Sequence, residues 1–247
     1  MGGVASRVKA VVSRHGGAPH GRLVRFDGLR HGPPMRTNSD VATVGTVLVT
    51  GAGRRIGRAI ARDLAGRGWA VGVHHNASAA DAQAVVDEIV AAGGRAAPVA
   101  ADLACHQDVE ALIGRTVDVL GPVTCLVNNA SLFECDTVET ATLESWERHM
   151  TVNLRSPFFL SQAFAGALPA GLAGNVINIL DQRVWNLTPY FVTYTLSKSA
   201  LWTLTRTLAM ALAPRIRVNG IGPGPILPSA HQTADQFQRQ WQVYGTR

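Results

Sequence analysis

Tyr194 and Lys198 stand four residues apart in Tyr194-Thr-Leu-Ser-Lys198, within a segment of helical periodicity running from Tyr190 to Ala213. Four residues is about one helical turn, so the two side chains share a face. An ammonium beside a phenol favours the phenolate and draws the phenol's pKa down from about 10 toward the range of a general acid. The competing reading is a packing tyrosine beside a solvated lysine. Composition argues against it: from residue 44 onward the chain uses fifteen arginines and one lysine, and that lysine is Lys198. A chain that otherwise places arginine wherever positive charge suffices keeps the compact ammonium here, where a planar guanidinium is no substitute.

A second constellation is the loop Thr50-Gly-Ala-Gly-Arg-Arg-Ile-Gly57. Gly51, Gly53 and Gly57 permit a tight turn, close approach of the backbone to a pyrophosphate, and close packing of helix on strand, with the helix N-terminus facing the anion. Past the next strand, Val73-His-His-Asn-Ala-Ser78 has no Asp or Glu for the ribose hydroxyls of NAD. His75, Asn76, Ser78 and Arg55 offer cations and hydrogen-bond donors to a 2′-phosphate instead, so NADP(H) is the expected cofactor.

These residues need a scaffold, and the chain alternates two kinds of segment. Apolar runs at 46–50, 69–74, 95–101, 123–127, 175–180 and 217–221 read as six strands; helical patterns read at 55–68, 79–93, 107–120, 143–170 and 190–213. Pro157 marks a kink or break in the fourth helix. Such alternation needs right-handed crossovers and a parallel sheet covered on both faces, an α/β doubly wound Rossmann-type single domain. Ligands in that fold bind at the carboxyl ends of the strands.

The loop spacing Gly-x-Gly-x-x-x-Gly resembles that of the short-chain dehydrogenase/reductase family, and four further motifs from Thr46 to Ser229 carry the same resemblance in order. Asp102-Leu103 resembles the family's adenine-contacting pair, Asn128-Asn-Ala130 its NNA motif, Tyr194 to Lys198 its YxxxK, and Gly222-Pro223-Gly224 its turn beside the nicotinamide. Asn153 stands where the family places a helix asparagine that holds a proton-relay water. By this resemblance Gly51, Gly53, Arg54, Arg55, Ile56, Gly57, Asp102, Leu103, Asn128, Ala130, Lys198, Pro223 and Gly224 contact the cofactor, joined by His75, Asn76 and Ser78. Asn153, Tyr194 and Lys198 carry catalysis.

The family's usual catalytic serine, thirteen residues before the tyrosine, is here Asp181. A serine hydroxyl donates to the developing oxyanion of a ketone, whereas an ionised carboxylate repels it. A carboxyl suits a nitrogen substrate, because burial lets it hold a proton or pair with an N–H. Aspartate here resembles the pteridine-reductase branch, as do the basic pair Arg54-Arg55, Ser131 directly after NNA, and Phe133, placed to stack on a pterin. That resemblance assigns substrate binding to Arg55, Ser131, Phe133, Asp181 and Tyr194. It implies NADPH-dependent hydride transfer to a pterin-like C=N bond, with Tyr194 as general acid and Asp181 as auxiliary proton donor. The other reading of Asp181 is a cap for the loop after the fifth strand.

Composition bounds the rest. Residues 1–43 carry seven Lys/Arg against Asp27 and Asp40, so most of the net charge of +6 belongs to a basic N-terminal extension, read as a disordered arm, and the domain at 44–247 is nearly neutral. No nucleic-acid face follows from that balance. Cys105, Cys125 and Cys135 form no CxxC pair, which supports neither a zinc site nor a disulfide framework. A cytoplasmic location fits, and no apolar stretch has the length of a membrane span. Ser229 to Gln242 reads as a polar helix, and the resemblance finds no counterpart here to the family's further helix and seventh strand, so a domain without that C-terminal helix and last strand is expected. Leu201, Leu204, Leu208 and Leu212 point to a homodimer or homotetramer. Two other functions stay open: a general carbonyl or alcohol dehydrogenase, and a truncated nucleotide-binding protein without activity.

Overall fold

The computed structural model describes residues 44–224, Asp235, and the backbone of Ala10 and Val11. Six parallel strands form its centre: β1 (Gly45–Val49), β2 (Trp69–His75), β3 (Arg95–Ala100), β4 (Val123–Asn128), β5 (Gly174–Ile179) and β6 (Ile216–Ile221). Their spatial order is β3-β2-β1-β4-β5-β6, and the antiparallel pair Ala10–Val11 lies beyond β6 against Ile221 and Gly220. The remaining residues of the N-terminal extension, and the helix expected at 229–242 apart from Asp235, lie outside the described residues.

Strand periodicity explains why both faces need cover. In β1, Val47 and Val49 face one cluster with Ala61, Val71, Val73, Val85 and Ile89, while Leu48 faces the other with Leu112, Leu126, Leu160, Phe164 and Val176. Helices α1 (Arg55–Gly66) and α2 (Ala79–Ala91) cover the first face; α3 (His106–Leu120) and α5 (Ser156–Ala167) cover the second. The order reverses between β1 and β4, which opens the crevice where a doubly wound sheet takes its ligand.

The fourth helical segment is not continuous. It divides into α4 (Leu143–Met150), a π turn over Thr151–Arg155 and α5, and the break falls just before Pro157. Proline has no N–H for the carbonyl four residues back, so the carbonyl of Asn153 loses its helical donor and the turn widens. Helix α6 (Val192–Ala211) is shorter at each end than its sequence pattern. Its apolar residues also do a different job from the one expected. Leu201 is core, and Leu208 and Leu212 pack partly buried against the core cluster. The exposed apolar side chains on α4, α5 and α6 are Leu143, Trp146, Phe158, Leu196 and Met210.

His74, at the carboxyl end of β2, ties this end of the sheet together. Gly51 N–H donates to Nδ1 at 2.9 Å, so the ring carries its proton on Nε2, which donates to the Ala101 carbonyl at 3.1 Å. Burial holds the imidazole's pKa down to about 4, with His75 pushing the same way and the Ala101 bond, Asp102 and Asp108 opposing. Between about pH 6.5 and 4 the unfolded chain therefore binds a proton that the folded chain refuses, and stability falls as pH falls. We predict that His74 accounts for roughly 3 kcal/mol of acid destabilisation across that window. Urea unfolding of the wild type and His74→Asn at pH 7, 5.5 and 4.5 measures it; parallel acid limbs in the two proteins would contradict the assignment.

Candidate active site

The glycine turn between β1 and α1 is held from several directions. Asn129 donates from Nδ2 to the carbonyls of Thr50 (2.8 Å) and Gly51 (3.2 Å), and the N–H groups of Asn129 and Ala130 both donate to Thr50 Oγ1 at 2.9 Å. Gly51 adopts a φ of +62°, a conformation natural to glycine. A Cβ on Gly57 would stand 2.2 Å from the Gly51 carbonyl oxygen, so α1 can start this close to β1 only with glycine there. Arg55, at a φ of +48°, follows in a left-handed conformation that other residues avoid.

Around this turn the expected cofactor residues fall at one end of the sheet. Ile56 and Gly57 open α1. Arg54 is exposed and ion-paired with Asp81 on α2 at 2.5 Å. His75 is buried with Nδ1 2.9 Å from the Asn76 carbonyl, and Asn76 donates to Asp102 at 3.2 Å. Ser78 holds the N-cap position of α2 without a side-chain bond. Asp102 also accepts from Ala104 N–H at 2.9 Å, whereas the side chain of Leu103 lies in the core. Asn128 is buried, donates to Asn178 at 2.8 Å and leaves its Oδ1 without a partner. The Pro223 carbonyl accepts from Gln182 N–H at 3.2 Å, which brings the 222–224 turn over the loop after β5; Gly224 is exposed beside it.

The second half of the site is built on α6 and the loops facing it. Tyr194 is buried, and its hydroxyl donates to Asp181 Oδ2 at 2.8 Å. Asp181 Oδ1 accepts from Arg183 N–H at 2.8 Å and lies 3.8 Å from Arg183 Nη1. The carboxylate of Asp181 makes two contacts: one oxygen caps the 3-10 turn Gln182–Val184, as the loop-cap reading expects, and the other accepts from the phenol. Lys198 is buried and donates from Nζ to the Ile179 carbonyl at 2.8 Å. Asn153 is fully buried and saturated: Oδ1 accepts from Leu132 N–H (2.8 Å) and Ser131 Oγ (3.2 Å), and Nδ2 donates to the Leu132 carbonyl and Ser197 Oγ, each at 3.0 Å. Its side chain therefore fixes the 131–132 loop onto α6. Phe133 stands edge-on to Tyr194, ring centroids 4.7 Å apart.

The electrostatics differ from the sequence expectation in one respect. Burial and the adjacent Asp181 carboxylate push the Tyr194 phenol well above its ordinary value, and the groups that pull it down are Arg183 and Ser131. The lowering expected from Lys198 is not the net result, because Nζ is engaged at Ile179 and sits 5.9 Å from the centre of the Tyr194 ring. Burial in turn lowers the Lys198 ammonium to about 8, with Asp181 opposing.

Several residues here carry no sequence signal of their own. Asp136 accepts from Thr193 N–H at 3.2 Å and from the Thr193 hydroxyl, and its carbonyl accepts from Phe191 N–H at 2.8 Å, so it caps α6 from a distant loop. Glu134 N–H donates to His149 Nε2 at 3.3 Å, which leaves the ring proton on Nδ1, facing the Ser145 carbonyl and Thr193 Oγ1 at 2.9 and 2.8 Å. Phe191 stacks on Phe133 with centroids 4.4 Å apart and rings inclined by 3°. Asn129 was hidden only by its neighbours, since it lies inside Asn128-Asn-Ala130.

Residues 45–239 match the family model described as short chain dehydrogenase. The chain is 38% identical over 188 residues to an uncharacterized oxidoreductase of Methylorubrum extorquens, covering 76% of this chain and 75% of that protein. It is 35% identical over 183 residues to a 3-oxoacyl-[acyl-carrier-protein] reductase of Synechocystis, covering 74% of each. Among crystal structures, FolM alternative dihydrofolate reductase 1 from Brucella canis, complexed with NADP, superposes with a TM-score of 0.78 at 49% identity, covering 82% of this chain and 80% of that one. A landomycin C-6 ketoreductase with bound NADP and rabelomycin gives 0.68 at 37%, covering 72% and 75%.

The position of Lys198 yields a prediction with opposite signs in two measurements. Above about pH 8 the folded ammonium gives up its proton, so kcat/KM is expected to fall through a limb near 8. Between 8 and 10.5 the unfolded chain binds more protons than the folded one at this residue, so its contribution to stability rises with pH. Paired pH profiles of kcat/KM and of the Tm of the wild type and Lys198→Met test this. An activity loss that merely tracks unfolding would refute the assignment.

Proposed function

This chain belongs to the short chain dehydrogenase family, and we propose that within it the protein is an NADPH-dependent reductase of a pterin-like C=N bond. The observation that carries this reading is the 2.8 Å contact between Tyr194 and Asp181, a phenol and a carboxylate sharing one proton at the mouth of β5. The likeness to FolM alternative dihydrofolate reductase at 49% identity supports the same substrate class, and the NADP in that structure supports the cofactor.

The residues at the glycine turn fit a dinucleotide. The cradle formed by Gly51 and Gly57 is too close for a Cβ at Gly57, and Asn128 offers an unpartnered buried acceptor below it. Gly51, Gly53 and the start of α1 would hold the pyrophosphate, Arg55, His75, Asn76 and Ser78 the adenosine 2′-phosphate, and Lys198 with Pro223 and Gly224 the nicotinamide end. When bound, reduced nicotinamide supplies a hydride. The residues of this chain do the rest. As the hydride's electron pair forms a C–H bond, the C=N π electrons move to nitrogen, and the proton held between Tyr194 and Asp181 passes to that nitrogen as the O–H bond breaks. The pair is left with one more negative charge, which Arg183 and the Lys198 ammonium offset. Solvent restores the proton. A ketone at the same place would meet a carboxylate where its developing oxyanion needs a donor, which disfavours carbonyl reduction.

The test is NADPH oxidation by the purified protein with 7,8-dihydropteridines and a panel of ketones. We expect dihydropteridine reduction, faster with NADPH than with NADH, and a loss of two or more orders of magnitude in Tyr194→Phe. Asp181→Ser should shift preference toward ketones, and Asp181→Asn should be poorer than either at pterin reduction because an amide holds no transferable proton. Ketone reduction alone by the wild type would place the enzyme among the family's carbonyl reductases.

The exposed Leu143, Trp146, Phe158, Leu196 and Met210 on α4 to α6 support self-association into a dimer or tetramer. Light scattering at micromolar concentration should show a dimer or larger, and Trp146→Glu with Leu196→Glu should shift it to monomer. A wild-type monomer would overturn this.

A further inference from the structure

Among the described residues of this site, Phe191 stacks where the proposed substrate needs Phe133. Its ring lies parallel to Phe133, centroids 4.4 Å apart, and covers one face of the aromatic ring on which the pterin reading depends. No planar ring fits between two stacked rings at that separation, because each interleaved layer requires about 3.5 Å of its own. Phe191 also has a φ of +61°, a left-handed conformation that a phenylalanine adopts only when its surroundings impose it. The imposition is visible: its N–H is held by the Asp136 carbonyl, and α6 begins at the next residue.

Arg183 completes the arrangement. Its guanidinium carbon lies 4.6 Å from the centre of the Phe191 ring and 5.4 Å from that of Phe133, and its side chain is mostly buried. Nη1 faces Asp181, yet Nε is buried without an acceptor among the described residues. A buried guanidinium N–H left unpaired is costly and calls for a partner. A phenyl ring gives it only the weak attraction of a π face.

We propose that the ring of Phe191 occupies the substrate's place, and that a planar, hydrogen-bond-accepting heterocycle displaces it from Phe133 and supplies the missing acceptor to Arg183 Nε. The inference rests on the pterin reading and deepens it. Phe191 competes with the substrate, and Arg183 selects for ring systems bearing a carbonyl oxygen or ring nitrogen over plain hydrocarbons of the same shape. The two contributions act in opposite directions. Removing the phenyl removes a stacked pair that the substrate must otherwise break, whereas removing the guanidinium removes a charged donor that the substrate satisfies.

The experiment is titration of the NADP⁺ complex with fully oxidised biopterin, which cannot turn over in that complex, followed by fluorescence. Phe191→Ala should bind it roughly two- to tenfold more tightly than the wild type, the factor such a ring pair is worth. Arg183→Met, which keeps the apolar stem over the rings, should bind it at least tenfold more weakly. NADP⁺ affinity should stay unchanged in both, and circular dichroism should report folded proteins. Weaker binding in Phe191→Ala would make Phe191 a wall of the substrate site and overturn the proposal, as would unchanged binding in Arg183→Met. If the wild type binds no biopterin, the pterin reading fails, and the displacement is then tested on its reducible ketones: a fall in KM for planar aromatic ketones in Phe191→Ala keeps the inference, and a rise or no change ends it.

Discussion

In the turn from Thr50 to Gly57 only some backbone groups find strand or helix partners, Thr50 N–H at the Val127 carbonyl and Ala52 N–H at the His74 carbonyl, and the site depends on how the others are satisfied. A buried turn with unpaired backbone groups would be unaffordable at the end of a parallel sheet. Side chains from two neighbouring strand ends solve this. Asn129, after β4, takes the carbonyls of Thr50 and Gly51, and His74, at the end of β2, takes the Gly51 N–H. The turn is thereby locked on both sides of the switch point before any ligand arrives. Its glycines bring α1 close, and its lateral ties fix where the first helical N–H groups aim.

The other half of the site obeys the same constraint with different parts. Pro157 withholds an N–H from the helix, the turn at Thr151–Arg155 widens, and Asn153 spends its whole amide on the 131–132 loop and Ser197. Asp136 and His149 hold the adjoining loop against the first turn of α6. Tyr194 therefore approaches Asp181 from a helix whose N-terminus is anchored by a carboxylate remote in sequence. Arg55 and Phe191, the two non-glycine residues with positive φ among those described, border these two anchored loops. Among the described residues, backbone strain is concentrated where ligands are expected, in keeping with surroundings rigid enough to bear it.

Much of this was legible in the sequence for definite reasons. The doubly wound sheet followed from alternating apolar runs and helical periods, and the placing of Tyr194 and Lys198 one turn apart on a helix from their four-residue spacing, signals that are local by nature. The break at Thr151–Arg155 was half legible: Pro157 marked a kink, but nothing local distinguished a π turn from a bend. Asp136, His149 and Phe191 were illegible because their importance comes from partners forty or more residues away, such as Thr193 against Asp136 and Phe133 against Phe191. The direction of the Tyr194 shift was misread for a related reason. Sequence spacing puts Lys198 on the tyrosine's face, but only the fold shows that its ammonium is spent on the Ile179 carbonyl and that Asp181 lies closer.

That reversal bears on why an aspartate can stand where the family usually keeps a serine. A neutral hydroxyl needs no counter-charge, whereas a carboxylate beside a buried phenol raises the phenol's pKa and would hold its proton too tightly to give it up. Arg183, two residues on, sits 3.8 Å from the same carboxylate and opposes that rise without reversing it. Lys198, kept near 8 by its burial, adds a positive charge within reach of Asp181. Substituting aspartate alone would therefore impair the site. Aspartate with arginine on the same short turn makes a pair of opposite charges, and in the proposed reaction its cation would offset the negative charge that develops. The 3-10 turn at Gln182–Val184 is the structural means of that compensation, since the Arg183 N–H that the Asp181 carboxylate caps also orients the guanidinium that balances it.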